Sequence, residues 1–238
     1  MPDRKRQKKT EQSFCSKTDI TGTEKMISLI THEIRNPLAV IHSFLQIFFS
    51  DHPEFRKEAS LVHIQENVHY LEELLNQLSC YNSSHTVRFE EKNPYLLLQE
   101  ITAEAGSTLE EKQVSLELIK ESPIPRVELD PIKFRQLFYN LIRNSAEAMP
   151  QGGTIHIHLF FDGSQVIFSV CDNGIGIPEQ DLSSLFDPFV THKENGTGLG
   201  LAICKEIVSR HHGTIQVSSK QGEGTVFTIC LPLCQSGI

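Results

Sequence analysis

Residues 31–37 read Thr31-His32-Glu33-Ile34-Arg35-Asn36-Pro37 and lie inside a stripe of apolar residues. The stripe runs Ile27, Ile30, Ile34, Leu38, Ile41, Leu45 and Phe48, in steps of 3, 4, 4, 3, 4 and 3. Such steps keep side chains on one side of an α-helix and come close to a heptad seam. The helix is expected to begin near Thr23 or Glu24. Asp51-His52-Pro53 interrupts it with a turn. A second stripe follows at Leu61, Ile64, Val68, Leu71, Leu75 and Leu78, in steps of 3, 4, 3, 4 and 3. Two such helices joined by a short turn make an antiparallel hairpin. One hairpin alone leaves Phe44, Phe48, Phe49 and Phe55 without cover. Two hairpins are therefore expected to pair into a four-helix bundle, which makes the protein a homodimer.

His32 is best judged on that first helix. With Ile34 facing the core, His32 lies about 160° away at 100° per residue, and Asn36 about 160° away on the other side. Both then sit on the solvent face, one turn apart. A lone histidine is by default a surface residue or a satisfied core residue. This one is off the stripe, beside Glu33 and shortly before Pro37. Proline inside a helix removes a hydrogen bond and costs ~3 kcal/mol. A stripe that continues past that cost to Phe48 predicts a kink.

The composition narrows the function. The chain has 238 residues, 39% hydrophobic and 22% charged, which suits a soluble globular protein with room for one large or two small cores. A net charge of −8 excludes a general nucleic-acid binder. Arg4, Lys5, Arg6, Lys8 and Lys9 form a basic run within residues 1–22, which read as a disordered tail. A sharper reading makes that run a stub beside a membrane or an anionic partner. The six cysteines form no C-x-x-C, so neither a disulfide framework nor a zinc site is expected, and a reducing, cytoplasmic compartment fits. The sequence holds neither a secretory signal nor a run of about 18 apolar residues, so no transmembrane span is expected.

After the hairpin (23–82) and a polar linker (83–93), the pattern changes over 94–234. Helices are expected over Tyr95–Leu109, from Pro131 to Met149, and near Leu199–His211. Strands are expected at Val114–Ile119, Arg126–Leu129, Thr154–Phe161, Gln165–Cys171, Thr214–Ser218 and Thr225–Leu231. Asp130 can cap the helix that opens with Pro131. Few βαβ units appear, so the class is α+β: a mixed sheet with helices on one face.

Three stretches here carry chemistry. Asn140 and Asn144 share one helix face at i,i+4, and asparagine is a poor helix former, so two among core leucines suggest a polar ligand. Asp172-Asn173-Gly174-Ile175-Gly176-Ile177-Pro178 follows an apolar strand. A carboxylate at a strand end can accept from an exocyclic amine, and the glycines let backbone approach a flat base. Gly196-Thr197-Gly198-Leu199-Gly200-Leu201 precedes a helix, where exposed N–H groups favour anions. No Gly-Lys-Ser/Thr follows it, so it is not a Walker loop, and the G-x-G-x-G spacing is not a dinucleotide fingerprint. Lys193 lies upstream in the segment Asp187–Asn195, where it is either solvated or in reach of a terminal phosphate.

Together these stretches resemble the catalytic region of the sensor histidine kinases of two-component signalling. Residues 31–37 are similar to the histidine box, 140–149 to the asparagine box and 172–178 to the first glycine box. Leu185-Phe186-Asp187-Pro188-Phe189 is similar to the phenylalanine box, 196–201 to the second glycine box, and Gly222, Gly224 and Thr225 to the closing glycine motif. The resemblance spans about 24–233. The wording H-E-I-R-N-P-L and N-S-A-E-A-M, with a short lid ending Thr191-His192-Lys193, is most similar to kinases of the Gram-positive sporulation type.

The resemblance implies a dimerisation and phosphotransfer hairpin followed by a Bergerat-type α/β sandwich that binds ATP and Mg²⁺. His32 would take the γ-phosphoryl group on the ring nitrogen distal to the backbone, with Glu33 polarising the other, and Asn36 would orient water for dephosphorylating a partner. Asp172 would recognise adenine, Asn144 would ligate Mg²⁺, and Asn140 would support it. Gly174, Gly176, Lys193, Gly196, Thr197, Gly198, Leu199, Gly200 and Thr225 would complete the nucleotide site. His192 stands where the family often has threonine. The partners implied are a response regulator receiver domain and a second copy. The signal would arrive from a separate sensor protein or a missing sensor segment, which could hold the kinase at the inner membrane surface. Two other readings stay open. One is an ATP hydrolase of the same sandwich, although hydrolases of that type carry a glutamate where this chain has Asn140. The other is a non-catalytic phosphotransfer or docking protein.

Overall fold

The computed structural model describes residues 29–83, 87–193 and 196–233, with the side chains of 81–83 left aside. The expected tail over 1–22, the helix start near Thr23 and Ile27 lie outside the described residues, as do 84–86 of the expected linker. The chain divides into two compact units, Met1–Ser83 and Ser84–Ile238.

In the first unit, helix α1 covers 29–51 without a break at Pro37. Pro37 has no N–H to give the carbonyl of Glu33. A turn of 3₁₀ helix at Pro53–Lys57 leads into α2, Ala59–Ser83. The hairpin core is narrow. Leu38, Val68 and Leu75 are buried together, with Leu45 against them, and Phe49 and Thr31 are buried on the same side of α1. Polar bonds set the register. Arg35 donates to Asn76 Oδ1 (3.2 Å) and Ser79 Oγ (2.9 Å), and His42 Nδ1 lies 2.8 Å from Glu72 Oε1.

Here the stripe reading needs correction. Ile34, expected to face the core, is 46% exposed, and Ile30, Ile41 and Phe44 are exposed with it. Apolar residues cover more than half of α1, so their mean direction does not locate α2. The inner line is Thr31, Leu38 and Leu45, spaced by seven. On α2 the two halves of the heptad likewise separate: Val68 and Leu75 point inward, while Ile64 and Leu71 stay exposed.

In the second unit, five strands form a mixed sheet in the order β2-β4-β5-β7-β6. They are β2 (Val114–Lys120), β4 (Gly153–Phe161), β5 (Gln165–Asp172), β6 (Thr214–Lys220) and β7 (Gly224–Pro232). Only β2 and β4 pair in parallel among the strands of this sheet. Helices α3 (Pro94–Glu111), α4 (Pro131–Glu147) and α6 (Gly200–Arg210) cover one face. Strand alternation drives this: Ile155, Ile157 and Leu159 on β4, Val166, Phe168 and Val170 on β5, and Phe227, Ile229 and Leu231 on β7 are all buried. Phe134 and Phe138 of α4 pack edge-on against Phe168 with ring centroids 5.6 and 5.4 Å away. A short helix α5 (Glu179–Leu182) follows the first glycine-rich turn.

The stretch 83–93 is more than a linker. Glu90–Lys92 forms β1, paired antiparallel with β3, Val127–Leu129. Its charged run Glu90-Glu91-Lys92 hides a strand that needs only an edge partner. Just before it, Arg88 N–H donates to Asp130 Oδ2 (2.7 Å), and Phe89 packs edge-on against His211 at 5.4 Å. Asp130 also caps α4 through Oδ1, which accepts from Ile132 N (3.0 Å) and Lys133 N (3.1 Å).

His211 closes that cluster from the end of α6. Its Nε2 accepts from Asp130 N (2.9 Å), and its Nδ1 donates to the Ile207 carbonyl (2.8 Å). This arrangement requires the neutral ring. Burial pushes the His211 pKa below the ordinary imidazole value, against the pull of the Ile207 carbonyl and Asp130. The stability it contributes is therefore complete above the unfolded pKa, about 6.5, and is lost as pH falls toward the lower folded value. Urea unfolding of the protein between pH 7.5 and 5 should show falling stability, and His211→Gln should flatten that part of the profile.

Candidate nucleotide and phospho-acceptor sites

The second unit gathers its candidate residues at the C-terminal end of β5. Asp172 is buried there, directly across from Thr225 on β7. Its Oδ1 accepts from Gly174 N (3.1 Å) and Thr225 N (3.2 Å), and its Oδ2 accepts from Ser145 Oγ (2.9 Å). An ionised carboxylate has about four acceptor positions. Three are filled by the protein, so one on Oδ2 remains for a donor such as an amine. Ser145 is itself buried on α4, one residue after Asn144. Its only mark in the sequence is its place inside N-S-A, one residue from Asn144.

The turn after Asp172 is held on both sides. Ile175 N donates to the Ala148 carbonyl (3.0 Å), Gly222 N donates to the Ile175 carbonyl (2.8 Å), and Ile177 N donates to Ser219 Oγ (2.8 Å). Gly176 has φ +67°, and a Cβ there would fall 2.1 Å from the Lys220 carbonyl oxygen. No other residue fits that position. Gly174 packs closely on Ala148 at the end of α4.

Asn140 and Asn144 are half-buried on α4, one turn apart as expected. Asn140 Nδ2 donates to the Gly200 carbonyl (3.3 Å), which ties α4 to the first residue of α6. Around Gly200 lie the remaining predicted residues. Thr197 Oγ1 accepts from Leu199 N (3.3 Å), Leu199 is buried, and α6 has no side-chain cap at its N-terminus. Its first N–H groups are thus available to an anion. Gly198 has φ +67°, and a Cβ there would meet the Phe189 backbone at 2.5 Å; Phe189 N in turn donates to the Gly198 carbonyl (3.1 Å). Gly196 sits against Thr191 and Lys193. Lys193 Nζ bonds Glu147 on α4, and His192 Nε2 lies 3.4 Å from Asp181 on α5. The structure therefore brings Asp172, Thr225, Gly174 and Gly176 together at one end of β5. It brings Asn140, Gly200 and Lys193 together along α4.

The first unit presents the other candidates. His32, Glu33 and Asn36 are all exposed on α1. Their exposure agrees with the solvent-face reading, although the inner side of the helix is set by Leu38 rather than Ile34. His32 is about 120° from Leu38 and Asn36 about 160° in the same sense, at 100° per residue.

Residues 23–83 match the His Kinase A (phospho-acceptor) domain family, and residues 129–235 match the family of histidine kinase-, DNA gyrase B- and HSP90-like ATPases. The chain is also 31% identical to the catalytic domain of histidine kinase ThkA, covering 62% of this chain and 97% of that one, with a TM-score of 0.57. The chain belongs to the histidine kinases. Its hairpin corresponds to the phospho-acceptor domain, and its second unit to the ATP-binding domain. It is 33% identical to sporulation kinase E of Bacillus subtilis (strain 168) over 87% of this chain, and it spans 28% of that protein's length. It is similar over 96% of its length to ThkA as solved in complex with response regulator protein TrrA, at 26% identity and a TM-score of 0.67, covering 66% of that chain. No helix among the described residues is long and apolar enough to cross a membrane.

The Ser145 bond to Asp172 makes a stability prediction that is independent of any ligand. Ser145→Ala should destabilise the ATP-binding unit by about 1–3 kcal/mol, because it strips a donor from a buried carboxylate. Thermal unfolding of the two proteins side by side reads this directly.

Proposed function

We propose that the protein is an ATP-dependent protein-histidine kinase that phosphorylates its own His32 and passes the phosphoryl group to an aspartate of a response regulator. The observation that carries this reading is the single acceptor position left on Asp172, a buried carboxylate otherwise fully occupied, in a chain that also exposes His32 on a family phospho-acceptor hairpin.

In this reading the adenine amine donates to Asp172 Oδ2, and the flat base lies against the backbone at Gly174 and Gly176. Thr225 holds the carboxylate in place from β7. The phosphates lie toward the N-terminus of α6, over Gly196, Thr197, Gly198, Leu199 and Gly200, with Lys193 at the terminal phosphate. The neutral amide oxygen of Asn144, one turn from Asn140, suits a hard cation that keeps most of its ligands as water and phosphate. Bound there, Mg²⁺ would neutralise charge on the phosphates. Asn140 steadies the site through Gly200. That position holds an amide and not a carboxylate, so it offers no general base to activate water, which argues against the hydrolase reading.

The acceptor step asks little covalent work of the protein; positioning and charge neutralisation carry it. The distal ring nitrogen of His32 attacks the γ-phosphorus, and the bond to the departing ADP oxygen breaks. Glu33 draws on the proton of the other ring nitrogen and raises the nucleophilicity of the first. Asn36, one turn on, is placed to orient water in the reverse reaction on a phosphorylated partner. The receiver domain of a response regulator would approach along α1 beside His32. There Ala39, Val40, Ser43, Phe44 and Ile47 line a shallow apolar groove, about two to four turns C-terminal to the histidine. The exposed apolar side chains Ile30, Ile34 and Ile41 on α1, and Ile64 and Leu71 on α2, support a second copy that completes a four-helix bundle.

Incubating the pure protein with γ-labelled ATP and Mg²⁺ should label it with an acid-labile, base-stable phosphate. His32→Gln should bind an ATP analogue as before yet take no label; a label that persists in it overturns the assignment. Asp172→Asn should weaken analogue binding roughly ten- to hundredfold, the worth of a hydrogen bond to a buried charged group.

A further inference from the structure

Two cations beside the second glycine-rich turn share one carboxylate that the roles above leave unused. Glu147 lies on α4 one turn after Arg143 and bonds Lys193 Nζ through Oε2. Its Oε1 is 3.7 Å from Arg143 Nε, too long for a hydrogen bond. Arg143 Nε is shut from solvent and has no hydrogen-bond partner among the described residues. The Nη2 end of the same guanidinium turns toward α6: a Cβ on Gly200 would lie 3.7 Å from it. Glu147, Arg143 and Lys193 are all part-exposed, so none is needed to fill the core.

These three side chains form a cluster with one positive charge in excess, at the side of α4 where Asn140 already reaches Gly200. A carboxylate next to a triphosphate is repelled by it unless cations stand between them. Lys193 is a flexible point charge, whereas Arg143 is a rigid fork fixed on the same helix as Glu147. When phosphate arrives, Lys193 is the partner able to leave and Arg143 the one able to stay.

We propose that Glu147 is a positioning residue: a resident counter-ion that holds Lys193 back until a terminal phosphate displaces it, after which Arg143 neutralises Glu147. The effect falls chiefly on the triphosphate, because the terminal phosphate is the group that competes for Lys193. This rests on the reading of Lys193 as the terminal-phosphate contact.

The test is calorimetric binding of the non-hydrolysable analogue AMPPNP, and separately of ADP, to the full chain with Mg²⁺. Glu147→Gln should tighten AMPPNP roughly two- to fivefold, the range open to a part-exposed ion pair, and change ADP by less. Glu147→Asp should bind both nucleotides as the parent does, and in a Lys193→Ala background Glu147→Gln should bring no gain over Lys193→Ala alone. Thermal unfolding of each variant establishes that it is folded. Weaker AMPPNP binding by Glu147→Gln, an equal gain for ADP, or a gain that survives Lys193→Ala overturns the counter-ion role. If the parent chain itself binds neither nucleotide, the proposed function falls, and this inference with it.

Discussion

A carboxylate shut away from water must find donors, and Asp172 finds three, each from a different part of the unit. Thr225 N comes from the neighbouring strand, Gly174 N from the turn that follows, and Ser145 Oγ from α4. One side chain therefore joins sheet, turn and helix at the end of a strand paired on both sides. Because Ser145 is fixed to Asp172, the neighbouring Asn144 and Asn140 are fixed as well, at a set height along the sheet. The candidate adenine and cation positions thus share one helix that Asp172 bonds through Ser145.

The same helix sets the far wall. Asn140 bonds the Gly200 carbonyl, and Arg143 turns toward the same glycine, so α4 governs where α6 begins. At the opposite end, Asp130 caps α4, takes the Arg88 N–H from the incoming chain and gives its own N–H to His211. The chain entering this unit is thereby anchored to both α4 and α6 before β1 begins. The candidate site and the entry point lie at the two ends of one helix, joined by the buried row Phe134, Leu137, Phe138 and Leu141.

Much of this was legible in the residues. The elements of the second unit followed from alternation and caps, because each buried strand carries apolar side chains every second position and one sheet face is covered. The candidate nucleotide residues were legible because glycine and asparagine are costly where they stand and so report a demand. Three things were not legible. β1 is charged throughout, and a short edge strand needs no apolar pattern. Ser145 and Glu147 look ordinary in a helix; their weight comes from Asp172 and Lys193, far along the chain. The inner face of α1 was misjudged through Ile34, because a helix that is apolar over most of its circumference does not state which side meets its own partner.

The exposed Ile34 carries information about the hairpin. Around α1 there are three sectors. Thr31, Leu38 and Phe49 face α2; Ile30, Ile34 and Ile41 form a second apolar sector; His32 and Asn36 share what remains with the exposed Val40, Phe44 and Ile47. A helix needing only to pack on α2 would require the first sector alone. The second is exposed, and α2 repeats the division with Val68 and Leu75 inward and Ile64 and Leu71 outward. Two helices that split their apolar residues in the same way would suit two partners each, as the proposed four-helix bundle requires. In such a bundle the first two sectors of α1 would be covered, and the sector that carries His32 would be the part of the helix left open to a phosphoryl donor.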